Sequence, residues 1–182
     1  WPYAIAPAVV GVTANYFFSE RLGILYSFFH NLWGFNWYDN IHDAYIYVFI
    51  AASWKQISAN FIFFLAGLQT IQKSIIEASM IDCKSSFRRF WTITFPLLMP
   101  TTFFLIIINI TYSFFDTLGI IDTTTIGAPS GETKTLVFKA YIDGFRGLDL
   151  GSAGAQSIIM MLIVLVITVF QFRFIEGRIH YN

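Results

Sequence analysis

What most constrains this 182-residue chain is where its charges are missing. Asp, Glu, Lys and Arg are absent from Trp1–Ser19, Leu22–Tyr38, Gln56–Gln72, Phe90–Phe115 and Leu150–Phe172, and these five stretches make up more than half of the sequence. Charged residues are 12% of the chain, whereas a soluble domain carries about 25% and breaks its apolar runs at helical or strand period. A water-soluble globule is thereby excluded, as are a disordered chain and a nucleic-acid binder with a basic face. The reading that remains is an all-α, polytopic transmembrane helix bundle.

A hydrocarbon core of about 30 Å takes about 20 mainly apolar helical residues per crossing. Four segments meet that requirement: Trp1–Phe18, roughly Ala44–Leu68, roughly Thr101–Ile121 and roughly Ser152–Phe174. Leu22–Tyr38 is equally free of charge but rich in Tyr, Phe and Trp and broken by Gly23, His30, Asn31, Gly34 and Asn36. Aromatic sequence with amide groups suits the headgroup boundary, so a short interfacial helix and loop is expected there. The chain opens on Trp with no basic leader or small-residue cleavage site, and we expect it to be a fragment lacking an N-terminal portion. Cys83 is the one cysteine and cannot form an internal disulfide. No His/Cys cluster has metal-ligand spacing, and no cofactor is expected.

Orientation follows from basic residues in the short connections. Lys73, Lys84, Arg88 and Arg89 lie between the second and third expected spans, and Arg173 and Arg178 lie near the end. The opposite connections hold Arg21, Lys134, Lys139 and Arg146. The excess places the 73–100 loop and the C-terminus in the cytoplasm.

That loop carries the strongest motif. Residues 77–100 read Glu-Ala-Ser-Met-Ile-Asp-Cys-Lys-Ser-Ser-Phe-Arg-Arg-Phe-Trp-Thr-Ile-Thr-Phe-Pro-Leu-Leu-Met-Pro. A short helix over Glu77–Asp82 is expected, then an amphipathic one in which Phe87, Phe90 and Trp91 recur at helical spacing around Arg88 and Arg89, ended by Pro96. A helical knuckle outside the membrane suits the docking of a soluble motor; a basic helix lying on anionic lipid is the plainer reading.

The segment resembles the EAA loop of permease subunits in binding-protein-dependent ABC importers, with Glu77, Ala78, Asp82, Phe90, Ile93, Pro96 and Pro100 at the family's spacings. Where the family has glycine after the aspartate this chain has Cys83. A positive φ there would cost a cysteine about 1 kcal/mol. The runs 2–9, 54–58, 114–117, 147–157 and 171–176 further resemble the A-type permeases of sn-glycerol-3-phosphate importers. The resemblance implies a type I ABC importer permease fold, a single transmembrane domain over 1–182 that is incomplete at its N-terminus, and a cytoplasmic coupling loop over 72–100. Glu77, Ala78, Asp82, Cys83, Arg88, Arg89, Phe90 and Pro96 would make or frame the ATPase contact. Implied partners are a second permease subunit, a cytoplasmic ATPase dimer, a periplasmic substrate-binding protein and the lipid bilayer of a bacterial inner membrane, without nucleic acid.

Polar residues at membrane depth are costly and face a bundle interior or a water path. Asn109, Tyr112, Ser113 and Asp116 form one helical stripe, and Ser53, Gln56 and Asn60 another, with Lys55 beside it. They read either as a translocation pathway or as interhelical hydrogen bonds worth about 0.6–2 kcal/mol each. Lys55 could attract a phosphate, pair with a carboxylate of a partner, or pair with Asp116. Gly127–Thr135 superficially resembles a phosphate-binding loop, but its spacing is wrong and Glu132 stands where lysine is required. Asn109-Ile-Thr111 matches a glycosylation acceptor but sits inside a span. A secondary transporter or channel would show internal repeats and several paired intramembrane charges. A membrane enzyme would have to use His30 and His42 beside Asp39 and Asp43.

Overall fold

In the computed structural model, residues 1–82 and 85–175 are described, the last two of these and Asp82 by their backbone alone. Every regular element among the described residues is helical. After a 3-10 turn at Pro2–Ala4 come α1 (Pro7–Phe17), α2 (Ile24–Trp33), α3 (Ile41–Thr70), α4 (Lys73–Asp82) and α5 (Ser86–Arg89). A π-helical turn at Phe90–Thr94 leads into α6 (Phe95–Leu97), followed by α7 (Met99–Phe115), α8 (Leu118–Thr123) and α9 (Leu136–Tyr141). A second π turn at Ile142–Arg146 precedes α10 (Leu150–Ile175).

Two of these helices are long and apolar enough to cross a membrane, α3 over Ile41–Thr70 and α10 over Leu150–Arg173. A third crossing arises if Ser86–Leu97 and Met99–Phe115, which meet at a 70° bend, count as one span. The fourth expected crossing, Trp1–Phe18, is built differently. Pro2 and Pro7 each begin a helical piece, and the second, α1, has 11 residues, or about 16 Å at 1.5 Å per residue. Leu22–Tyr38 forms the expected short helix, α2, which stops where Gly34 takes φ 68° and donates to the His30 carbonyl. The loop beyond it folds back. Trp37 Nε1 donates to the Phe18 carbonyl at 3.0 Å, and Phe18, Tyr26, Phe35, Trp37 and Tyr47 bury together against Ala44.

Local sequence explains the helix ends. Asn40 caps α3 by accepting from His42 N at 3.0 Å, with Asp43 in the first turn. Asp149 caps α10 through Oδ1, which accepts from Ser152 N at 3.0 Å. The sharp bend before α7 has a covalent cause. Pro100 has no N–H for the Pro96 carbonyl and its ring crowds that carbonyl, so the chain turns at Leu98. Pro96 does not end the amphipathic helix as its chemistry predicts, and the chain stays helical through it to Leu97. The preceding turn widens instead, with Phe95 N–H donating to the Phe90 carbonyl five residues back. That widening removes the clash Pro96 would otherwise make with the carbonyl of Thr92.

The stretch after α7 does not run on as a single helix to Ile121: α7 ends at Phe115, and the chain continues as the short helices α8 and α9. It folds into the body of the protein. Ile120, Ile121 and Phe138 are fully buried, and Thr124, Thr125 and Thr133 lie beneath the surface. Helix α8 packs closely on α1: Thr123 Oγ1 donates to the Ala8 carbonyl at 3.1 Å and Asn15 Nδ2 donates to the Thr123 carbonyl. Gly11 is what permits this approach, since a Cβ there would collide with Thr123 Oγ1 and lie 2.9 Å from the Ile120 carbonyl oxygen.

Candidate functional site

Two regions hold the residues singled out from the sequence, a seam between α3 and α7 and the helical loop running from α4 to α6. The seam is antiparallel. Gly67 of α3 lies so close to α7 that a Cβ there would stand 2.6 Å from Thr101 Oγ1. The Phe63 and Phe104 rings meet at 5.3 Å. One turn further, the side chains of Asn60 and Asn109 form a reciprocal pair, Asn60 Nδ2 donating to Asn109 Oδ1 at 3.1 Å and Asn109 Nδ2 to Asn60 Oδ1 at 2.9 Å. Asn109 Nδ2 also donates to the Leu105 carbonyl at 2.7 Å. This pair is the interhelical bond anticipated as one reading of the stripes.

The next turn outward differs in kind. Gln56 is 5% exposed and Tyr112 8%, and both Gln56 Oε1 and the Tyr112 hydroxyl are buried without a hydrogen-bond partner. Lys55 is 7% exposed. Its ammonium donates to the Tyr3 carbonyl at 3.3 Å and lies 4.6 Å from the Tyr3 ring centre and 5.7 Å from that of Tyr112. The suggested Lys55–Asp116 pair is not formed: among the described residues the ion pairs are Lys139–Asp143 and Arg146–Asp122. Asp116 and Ser113 are exposed, Ser113 Oγ donating to the Ile110 carbonyl at 2.9 Å, and Ser53 is half-buried on α3. Tyr3 escapes sequence reasoning. Its N–H donates to Ser58 Oγ at 3.1 Å, a contact across 55 residues that no periodicity announces.

In the loop, Glu77 and Ala78 sit exposed on α4, and Asp82 ends that helix. Cys83, which stands at the family's glycine position, lies outside the described residues. Arg88 is exposed and Arg89 half-buried on α5, Phe90 begins the π turn, and Pro96 is exposed in α6. Helix α4 makes no substantial contact with any other element among the described residues. Ile81 and Phe87 are 85% and 76% exposed, and Trp91, Met80 and Phe90 are exposed with them. These exposed apolar side chains lie among Glu77, Arg88 and Arg89 on one segment of chain. Through α5, the π turn and α6 this segment leads to the bend before α7, the helix that carries Asn109 and Tyr112.

Residues 2–181 match the family model described as the binding-protein-dependent transport system inner membrane component. The chain belongs to that family. Relatives of this inner-membrane component include the sn-glycerol-3-phosphate transport system permease protein UgpA of Rhizobium meliloti (strain 1021), 54% identical over 184 residues, and that of Brucella abortus biovar 1 (strain 9-941), 52% identical over 185 residues. The protein of the same name from Escherichia coli O6:K15:H31 (strain 536 / UPEC) is 46% identical over 183 residues. Each comparison covers 100% of this chain and 62% of the relative. The chain therefore spans less than two thirds of the length of these relatives. Its fold matches that of a bacterial ABC transporter involved in the import of the acidic polysaccharide alginate, known from a crystal structure, with a TM-score of 0.76 at 19% identity, covering 97% of this chain and 62% of that one. The all-α type I importer permease fold inferred from the coupling-loop motif is thus the fold of this inner-membrane component.

Proposed function

We propose that this chain is part of a permease subunit of an ATP-driven importer for sn-glycerol-3-phosphate. The observation that carries the reading is identity of 46–54% along the whole chain to permeases named for that substrate. In this reading residues 1–182 belong to one transmembrane domain, which lines the translocation pathway together with a second permease. A substrate-binding protein delivers the cargo on the periplasmic side. Residues 72–100 and the C-terminus face the cytoplasm, where an ATPase dimer engages the loop. The chain hydrolyses no ATP itself.

Coupling follows from how the loop is attached. Closure of the ATPase dimer displaces α4 and the aromatic face of Phe87, Phe90 and Trp91. The continuous helical path through α5, the π turn and α6 carries that displacement to the Leu98 bend and tilts α7 against α3. The seam residues Ser53, Lys55, Gln56, Asn60, Asn109, Tyr112, Ser113 and Asp116 are then exposed to one side or the other. Glu77, Asp82, Arg88 and Arg89 supply the charged part of the contact. The experiment is co-purification of the full-length subunit with its ATPase, paired with uptake of labelled substrate. Glu77→Lys is expected to abolish ATPase association and uptake while the two permeases still assemble. Undiminished association would remove the docking role from this loop.

A further inference from the structure

We propose that Lys55, Tyr112 and Gln56 form an anion-recognition site at the middle of the membrane, which meets the phosphate group of the cargo. The inference rests on the importer reading above and adds which residues receive the charge.

Lys55 lies midway along the 30-residue helix α3, at the depth where an ammonium is most costly. Its neighbours hold it without neutralising it: one backbone carbonyl and the faces of two tyrosine rings. Among the described residues no carboxylate lies within ion-pair distance. A buried cation so placed calls for an anion.

The second observation is independent of charge. The Tyr112 hydroxyl and Gln56 Oε1 are both buried and bonded to nothing, although buried polar groups are nearly always satisfied. Gln56 lies one turn from Asn60 on α3 and Tyr112 one turn from Asn109 on α7, and the Asn60–Asn109 pair ties the two helices there. The Tyr112 hydroxyl is a donor awaiting an acceptor. Reversing the Gln56 amide about its terminal torsion presents its N–H groups in place of the orphaned oxygen. One ammonium, one hydroxyl and one amide are three donors for a group with three acceptor oxygens, as a phosphate monoester has. A lysine holds such a group as a point charge, without the bidentate fork of arginine. That suits a site which must release what it binds, as any conducting pathway must. Asp116, exposed one turn further along α7, would accept hydroxyl donors and repel phosphate, so it orients the glycerol end away from Lys55.

The test uses the full-length subunit assembled with its second permease, ATPase and binding protein in proteoliposomes. ATP-dependent uptake of labelled sn-glycerol-3-phosphate is measured alongside ATP hydrolysis stimulated by the loaded binding protein. Lys55→Gln is expected to lower uptake at least tenfold while the complex elutes intact and hydrolysis is still stimulated, and Lys55→Arg to restore part of the uptake. Tyr112→Phe removes only a hydroxyl that bonds nothing in this structure, so a purely structural role predicts no change; a several-fold fall in uptake is expected. Wild-type uptake of sn-glycerol-3-phosphate with undiminished uptake in Lys55→Gln and Tyr112→Phe would overturn this inference alone. So would dissociation of the subunits by Lys55→Gln with normal transport in Tyr112→Phe, which makes Lys55 the ion-pair partner of a neighbouring subunit. A wild-type complex that imports only a neutral carbohydrate overturns both this inference and the substrate reading beneath it.

Discussion

Replacing Asn109 by leucine is expected to destabilise the bundle more than replacing Asn60, although the two residues bond each other reciprocally. The asymmetry comes from what each leaves behind. Asn109→Leu removes both interhelical hydrogen bonds, and Asn60 has no other partner among the described residues. Two bonds at about 0.6 kcal/mol each inside a bundle, plus an amide left unsatisfied at about 1–3 kcal/mol, give a loss of about 2–4 kcal/mol. Asn60→Leu breaks the same two bonds, but Asn109 Nδ2 keeps its bond to the Leu105 carbonyl at 2.7 Å. Its cost should fall nearer 1–2 kcal/mol by the same reckoning. The double variant meets the seam with two apolar side chains and no orphan, so its loss should be smaller than the sum of the single losses. The assay is reversible unfolding of the full-length subunit in mixed micelles, arranged as a double-mutant cycle. A coupling energy of about 1–2 kcal/mol is expected, with Asn109→Leu the worse single variant. Additive effects would refute the claim that this pair ties α3 to α7, and equal single losses would refute the asymmetry drawn from the Asn109–Leu105 bond.

Three further outcomes follow from particular contacts. Gly11→Ala pushes a Cβ into Thr123 Oγ1 and the Ile120 carbonyl, so overpacking of about 1–3 kcal/mol should lower the unfolding midpoint and loosen α8, read as faster hydrogen exchange in residues 118–124. Pro100→Ala restores a donor to the Pro96 carbonyl, and the 70° bend should open; spin labels on α5 and α7 would show a longer separation, and an unchanged distance would assign the bend to packing. Asp143 accepts from Gln156, Lys139 and Ser152, and these bonds, Gln156 first, hold its carboxyl below the ordinary value of 3.8. A lowered pKa means stability that is fully present above that ordinary value and lost as pH falls through the lowered one. Asp143→Asn should therefore speed exchange at the start of α10 at pH 7, and the difference from wild type should vanish as pH drops below about 4.

Much of the fold was legible because the signals were local. Hydrophobic length marks α3 and α10 regardless of neighbours. Pro and Gly mark where helices begin and end, as at Pro7, Gly34 and Pro100. The motif over 77–100 pointed to the family whose model matches residues 2–181. Where local rules failed, packing had intervened. Pro96 was absorbed by a widened π turn. Trp1–Phe18 is hydrophobic enough for a span, but prolines divide it and its second half packs on α8. The polar stripe on α7 was found by its spacing, yet spacing gave equal weight to Asn109, which bonds Asn60, and to Tyr112, whose hydroxyl bonds nothing.

The sequence by itself determined the solvent of this protein, the helical class and the family, because hydrophobic length, proline chemistry and motif spacing act within a few turns of chain. Only the tertiary structure decided which polar residues are spent on holding helices together and which are left free. That choice depends on the register of α3 against α7 and on Tyr3 arriving from 52 residues away to meet Lys55. Such long-range distances are set by packing, for which no stretch of sequence carries a period.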